Sequence, residues 1–111
     1  MSGARIACVL ALALAASAGT QAVAAPAAQH VHVVTIDGFA FKPPVVTVKV
    51  GDTIEWRNTD PVPHTATSKS GGFDSGSIAA GATYRWVARK PGRFDYLCTF
   101  HPIMKGTVVV E

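Results

Sequence analysis

The chain has 111 residues, 49% hydrophobic and 15% charged, which suits one folded domain and excludes both a large multidomain enzyme and a disordered chain. Ten basic residues against 7 acidic ones give a formal charge of +3 with no basic run or stripe, so nucleic acid is a poor partner. Two cysteines are too few for a disulfide scaffold.

Residues 1–24 read as a secretory signal. Arg5 supplies the positive start, and Ile6 to Ala16 form an apolar run far short of the ~20 residues a bilayer core requires. Ala22-Val23-Ala24 offers small residues for cleavage after Ala24. That leaves a short tail over 25–30 and a domain over 31–111, with no membrane anchor. Cleavage removes Cys8, so Cys98 becomes the single thiol of a protein sent to an oxidising compartment, the periplasm. An unpaired cysteine there suggests a partner chain, a reactive thiol or a metal ligand.

The domain reads as short strands separated by turn residues. His32 to Ile36 alternates and is β-branched, Asp37-Gly38 breaks it, and Phe39 to Pro44 is expected as an irregular apolar connection. Val45 to Val50 is a strand with Val46, Val48 and Val50 inward. Gly51-Asp52 turns into Thr53 to Asn58, which puts Ile54 and Trp56 inward and Glu55 and Arg57 outward. After the loop from Asp60 to Pro63, His64 to Ser68 is expected as a strand and Lys69 to Ala80 as a Gly/Ser-rich loop. Ala82 to Ala88, Arg93 to Cys98 and Gly106 to Val110 complete the set. The pattern predicts an all-β fold, a two-sheet antiparallel Greek-key β-sandwich. The expected core is Ile36, Val46, Val48, Val50, Ile54, Trp56, Trp86, Phe94, Tyr96, Val108 and Val110.

The densest chemistry runs from Phe94 to Gly106, where Cys98, His101 and Met104 recur every three residues. Strand parity turns Cys98 inward at a strand end, and a tight reversal before Gly106 would gather the three side chains. His64, after Pro63, can supply a second imidazole from another loop. Two imidazoles, a thiolate and a weak thioether suit copper in either oxidation state. Zinc would accept the first three but has little use for thioether sulfur. Each residue alone has a plainer reading: Cys98 as a buried thiol, the histidines as surface groups, Met104 as packing. A Cys98–His101 nucleophile–base pair has no oxyanion hole or third orienting residue to support it.

The run Val50-Gly51-Asp52-Thr53-Ile54-Glu55-Trp56-Arg57-Asn58, then Pro63-His64, then Phe94 through Met104, and the ending Gly106-Thr107-Val108-Val109-Val110 resemble the cupredoxins, the small blue-copper proteins. The Cys98, His101, Met104 spacing resembles the amicyanins within that family, since plastocyanin-like and pseudoazurin-like members have a longer gap before the methionine. Phe100 stands where amicyanins typically have proline.

The resemblance implies one type 1 copper ion, with His64, Cys98 and His101 as strong ligands and Met104 axial. It also implies that Asn58 ties the two ligand loops together, with its side chain expected to bond near Thr99; Pro63 precedes the first ligand. The implied role is a periplasmic electron carrier, not an enzyme, with His101 as the electron port inside a docking patch of Val62, Phe100, Pro102 and Ile103. Phe39 and Phe41 are expected to shield the metal, and Lys69, Arg93 and Lys105 to steer an acidic partner. The partners implied are redox proteins such as a c-type cytochrome and a periplasmic dehydrogenase, met by a monomer. The alternative is a periplasmic carrier or storage module that delivers copper itself.

His30 and His32 point the same way if they lie on a strand, and a solvated edge strand is their plain reading. A cut after Ala27 would leave Ala28-Gln29-His30, a free amine with histidine third, which chelates Cu(II).

Overall fold

A computed structural model describes residues 3–4, 11–17, 19 and 29–111. The cleavage site at Ala22-Val23-Ala24 and most of the leader and tail lie outside the described residues. Seven strands follow: β1 (Val31–Asp37), β2 (Ala40–Lys42), β3 (Val45–Val48), β4 (Thr53–Asn58), β5 (Thr83–Val87), β6 (Gly92–Leu97) and β7 (Lys105–Val110). They form two sheets, ordered β2-β1-β4-β5 and β3-β7-β6, and the chain crosses between them after β2, β3 and β5. The all-β sandwich is as expected, but each sheet is mixed. β1 pairs parallel with β4, and β3 parallel with β7. Alternation along a strand fixes which face is apolar and leaves the neighbour's direction open.

The core lies between the sheets, around Trp56, Ile36, Ile54, Val34, Val48 and Val108, all fully buried. Aromatic edges join its two halves: Tyr96 of β6 meets Trp56 of β4 at 5.5 Å and Phe41 of β2 at 4.7 Å between ring centroids. Val46 and Trp86 are only partly buried, packed against this cluster.

Four expectations need correction. Val50 is 48% exposed, because β3 stops at Val48 and the chain turns at Gly51, whose φ of 96° suits glycine. The segment 40–42 is a strand, paired with Thr35 to Asp37 of β1. The stretch 64–68 is not a strand; single bridges join His64 to Ile78, and Thr67 to both Asp74 and Leu97. Glu55 points outward yet is buried, because Arg57 at 2.7 Å and Arg85 at 2.9 Å close over its carboxylate. Together, Arg85 first, they hold that carboxyl below the ordinary range.

Candidate metal centre

Two stretches of backbone meet at the end of the sandwich where β4 and β6 finish. The first is stitched on by main-chain bonds. His64 and Ile78 exchange both of theirs, at 3.1 and 2.7 Å, and Thr67 exchanges both with Leu97, at 2.9 and 3.0 Å. This sets His64 beside the end of β6. The second stretch is the loop from Cys98 to Met104. The His101 amide donates to the Cys98 carbonyl, the Met104 amide to the His101 carbonyl, and the Cys98 amide to the Met104 carbonyl. Residues three apart therefore sit on successive tight turns, and the last bond closes the loop.

The result is a cluster. The ligand atoms of His64, Cys98 and His101 all lie within 4.8 Å of one another. Both histidines turn Nδ1 inward: Cys98 Sγ is 3.6 Å from Nδ1 of His64 and 3.9 Å from Nδ1 of His101. His64 and Cys98 are fully buried, Met104 nearly so, and His101 partly exposed. The Thr65 amide donates to Cys98 Sγ at 3.3 Å. One sulfur and two imidazole nitrogens, converging from two directions, fit a copper ion of the blue type.

The surrounding bonds depart from expectation at Asn58. Its Nδ2 donates to the carbonyls of Val62 and Ile78, at 2.8 and 3.0 Å, and its Oδ1 accepts from the Asp60 amide. It braces the loop that leads to His64 and does not reach Thr99. Thr65 joins the two ligand stretches instead: its Oγ1 accepts from the Thr99 amide at 2.8 Å and lies 3.1 Å from Thr99 Oγ1. Both Asn58 donor bonds and its acceptor are taken up within its own loop and at Ile78.

Asp60 carries a role the sequence reading missed. Its carboxylate accepts from the Gly38 amide at 2.7 Å, the Phe39 amide at 3.0 Å and His64 Nε2 at 2.8 Å. Burial pushes this carboxyl up, but the Phe39 and Gly38 amides and the His64 ring outweigh it and leave it below the ordinary range. A carboxylate on the outer nitrogen fixes the tautomer and orientation of a ligating histidine. The four-residue step from Asp60 to His64 was the available signal.

The same carboxylate holds the turn that carries Phe39. Phe39 has φ 58°, the left-handed region that aromatic residues seldom adopt. Its ring stands edge-on to His64 and His101, at 5.2 and 4.9 Å. Phe39 therefore covers the site as expected, whereas Phe41 belongs to the core. Pro63 is exposed and Val62 half-buried; on the ligand loop Phe100, Pro102 and Ile103 are exposed, Ile103 at 89%.

Comparison with known proteins agrees with this geometry. The Cupredoxin-like domain family matches residues 5–110. The chain belongs to the cupredoxin family. Amicyanin-alpha of Methylorubrum extorquens is 38% identical, over 91% of this chain and 95% of that protein. Amicyanin of Paracoccus versutus is 34% identical, over 71% of this chain and 64% of that protein. A Cu(I) amicyanin carrying a methionine-to-alanine change superposes with TM-score 0.69 at 32% identity, covering 73% of this chain and 82% of that one. A reduced amicyanin with proline replaced by phenylalanine gives 0.69 at 35% identity with the same coverage. Within its family this cupredoxin is amicyanin-like.

Proposed function

We propose that this cupredoxin is a periplasmic electron carrier that holds one type 1 copper ion at His64, Cys98 and His101, with Met104 as the weak axial donor. The convergence of a thiol and two imidazoles from separate stretches within 4.8 Å carries the reading. Bound copper supplies a one-electron couple between Cu(II) and Cu(I). The protein supplies the rest. Asp60 keeps the His64 ring from turning, Thr65 keeps the Cys98 and His64 stretches at fixed spacing, and the stacked turns limit the loop. Ligands that stay put on both sides of an electron transfer keep its barrier low.

His101 is the port. Its Nδ1 faces Cys98, and the ring is partly exposed. Around it Val62, Phe100, Pro102 and Ile103, joined by Phe39, form an apolar collar that desolvates easily and suits brief docking. Lys69, Arg93 and Lys105 line one groove of about 670 Å³ beside β6 and β7, which supports steering of an acidic redox protein such as a c-type cytochrome or a periplasmic dehydrogenase. No helix among the described residues is long and apolar enough to cross a membrane. Residues 1–24 serve as the export signal in this reading, and the carrier works as a monomer.

The test is to add Cu(II) to purified apoprotein. A strong thiolate-to-copper absorption in the orange-red is expected, absent in Cys98→Ser, together with fast electron exchange with a cytochrome. A colourless product, or copper transfer to an apo-acceptor without redox exchange, would overturn the electron-carrier assignment in favour of copper delivery.

A further inference from the structure

The end of the sandwich away from Cys98 carries a second pair of imidazoles. β1 runs from this end to the Gly38-Phe39 turn at Asp60, so its length separates the two ends by about 20 Å. His30 and His32 have the same parity and flank Val31 at the strand's start. The backbone there is fixed: the His30 amide donates to Asp52 Oδ1 at 3.2 Å, and the His30 carbonyl accepts from the Thr53 amide at 2.9 Å. His30 is exposed and His32 partly so.

One feature of the metal centre recurs here, a carboxylate on the outer nitrogen of a histidine. His32 Nε2 lies 2.9 Å from Oδ2 of the buried Asp52, as His64 Nε2 lies 2.8 Å from Oδ2 of the buried Asp60. Asp52 is itself held by the Lys49 and His30 amides, at 3.0 and 3.2 Å. In each case the carboxylate takes Nε2 and leaves Nδ1 free of it. The second ring stands in nearly the same attitude: His30 and His32 lie 6.5 Å apart at 64°, His64 and His101 5.2 Å apart at 63°.

We propose that His30 and His32 form a second, surface-exposed binding site for Cu(II), with Asp52 as the residue that positions the His32 ring. Two imidazoles and water, with no sulfur, select a borderline divalent ion. Among the first-row ions Cu(II) binds such donors most tightly, and Cu(I) loses the soft ligand it favours. With two protein donors and an open face, the ion is exchangeable. This site is independent of the chemistry at Cys98.

The experiment titrates Cu(II) into the mature protein beyond the first equivalent, read by calorimetry and electron paramagnetic resonance, with circular dichroism to confirm folding of each variant. A second equivalent is expected, with an axial nitrogen-ligated signal and no added orange-red absorption. His30→Ala and His32→Ala should each weaken it at least tenfold, and the double variant should abolish it. Asp52→Asn should weaken it severalfold and alter its hyperfine pattern. Undiminished second-equivalent binding in the double variant would overturn the proposal. So would loss in His30→Ala with none in His32→Ala, since that marks a chelate built on the chain's amino terminus and not on the pair.

Discussion

Replacing Asp60 by alanine removes one acceptor and strands three donors: the amides of Gly38 and Phe39 and Nε2 of His64. They do not suffer equally. Gly38 and Phe39 are exposed residues, so water recovers much of their loss. The His64 side chain is fully buried, and its bond to a carboxylate is of the charge-assisted kind, about 1.5–3 kcal/mol each. Adding about 1 kcal/mol for the two amides, each a net bond of about 0.5–1.5 kcal/mol at most, puts the loss near 3 kcal/mol. In a domain of this size each 1 kcal/mol moves Tm by about 4–8 °C, so the apoprotein should melt about 12–24 °C lower.

A second effect separates this account from a plain loss of packing. The clamp also fixes the turn that carries Phe39, through its amide and that of Gly38. Released, the turn relaxes and the Phe39 ring leaves His64 and His101. With His64 also free to turn, copper affinity should fall about 10–100-fold. The assays are urea denaturation of the apoprotein and copper competition against a chelator of known affinity. If Asp60→Ala leaves apo stability within about 0.5 kcal/mol and copper affinity within about twofold, the reasoning about this carboxylate is wrong.

Thr65→Val keeps shape but removes the oxygen that receives the Thr99 amide; it should cost about 1–3 kcal/mol in denaturant and shift the thiolate-to-copper band, whereas an unmoved band would deny Thr65 its bridging role. Asp52 is held down to about 2 from an ordinary 3.8, first by the His32 hydrogen bond and then by the Lys49 and His30 amides. Its folded pKa is depressed, so its contribution is present above pH 4 and is lost as pH falls toward 2; the stability difference between the parent and Asp52→Asn should shrink over that interval in acid titrations followed by circular dichroism. Gly106→Ala would drive a methyl into the Tyr96 ring, its cross-strand neighbour. The overpacking should cost about 1–3 kcal/mol, and a Tm equal to the parent's would show that the ring has room to yield.

The nearness of Cys98 and His101 was legible because its information is local. A step of three between Cys98, His101 and Met104 dictates successive turns, and parity at a strand end turns Cys98 inward. The strands β1, β4, β5, β6 and β7 were legible from their alternation, whereas β2 was not. Long-range pairing was not. Nothing in His32 to Ile36 says that it runs parallel to β4, and nothing in Glu55 alone says that Arg85 will stand opposite it, as the register of β4 with β5 requires. Asn58 was assigned a reach across the site that Thr65 has, because strand parity places a side chain on a face and says nothing of which loop closes above it. Val50 failed for the opposite reason: its alternation was sound, but the strand carrying it ended two residues earlier.

The two imidazoles of the centre do different work because the chain fastens them differently. His64 belongs to a stretch tied on one side to Ile78 and on the other to Leu97, with Asp60 behind its ring. His101 rides on a loop closed by main-chain bonds among Cys98, His101 and Met104, and tied to the other stretch through the Thr99 amide on Thr65 Oγ1. An electron carrier needs one donor that does not move and one whose edge reaches a partner, and a single ligand cannot be both fully enclosed and accessible. Burying His101 as deeply as His64 would stiffen the site and close its route outward. Exposing His64 would open a second route and loosen the ring that Asp60 fixes. Phe100 and Ile103, both exposed, lie on the same loop as the less enclosed of the two rings.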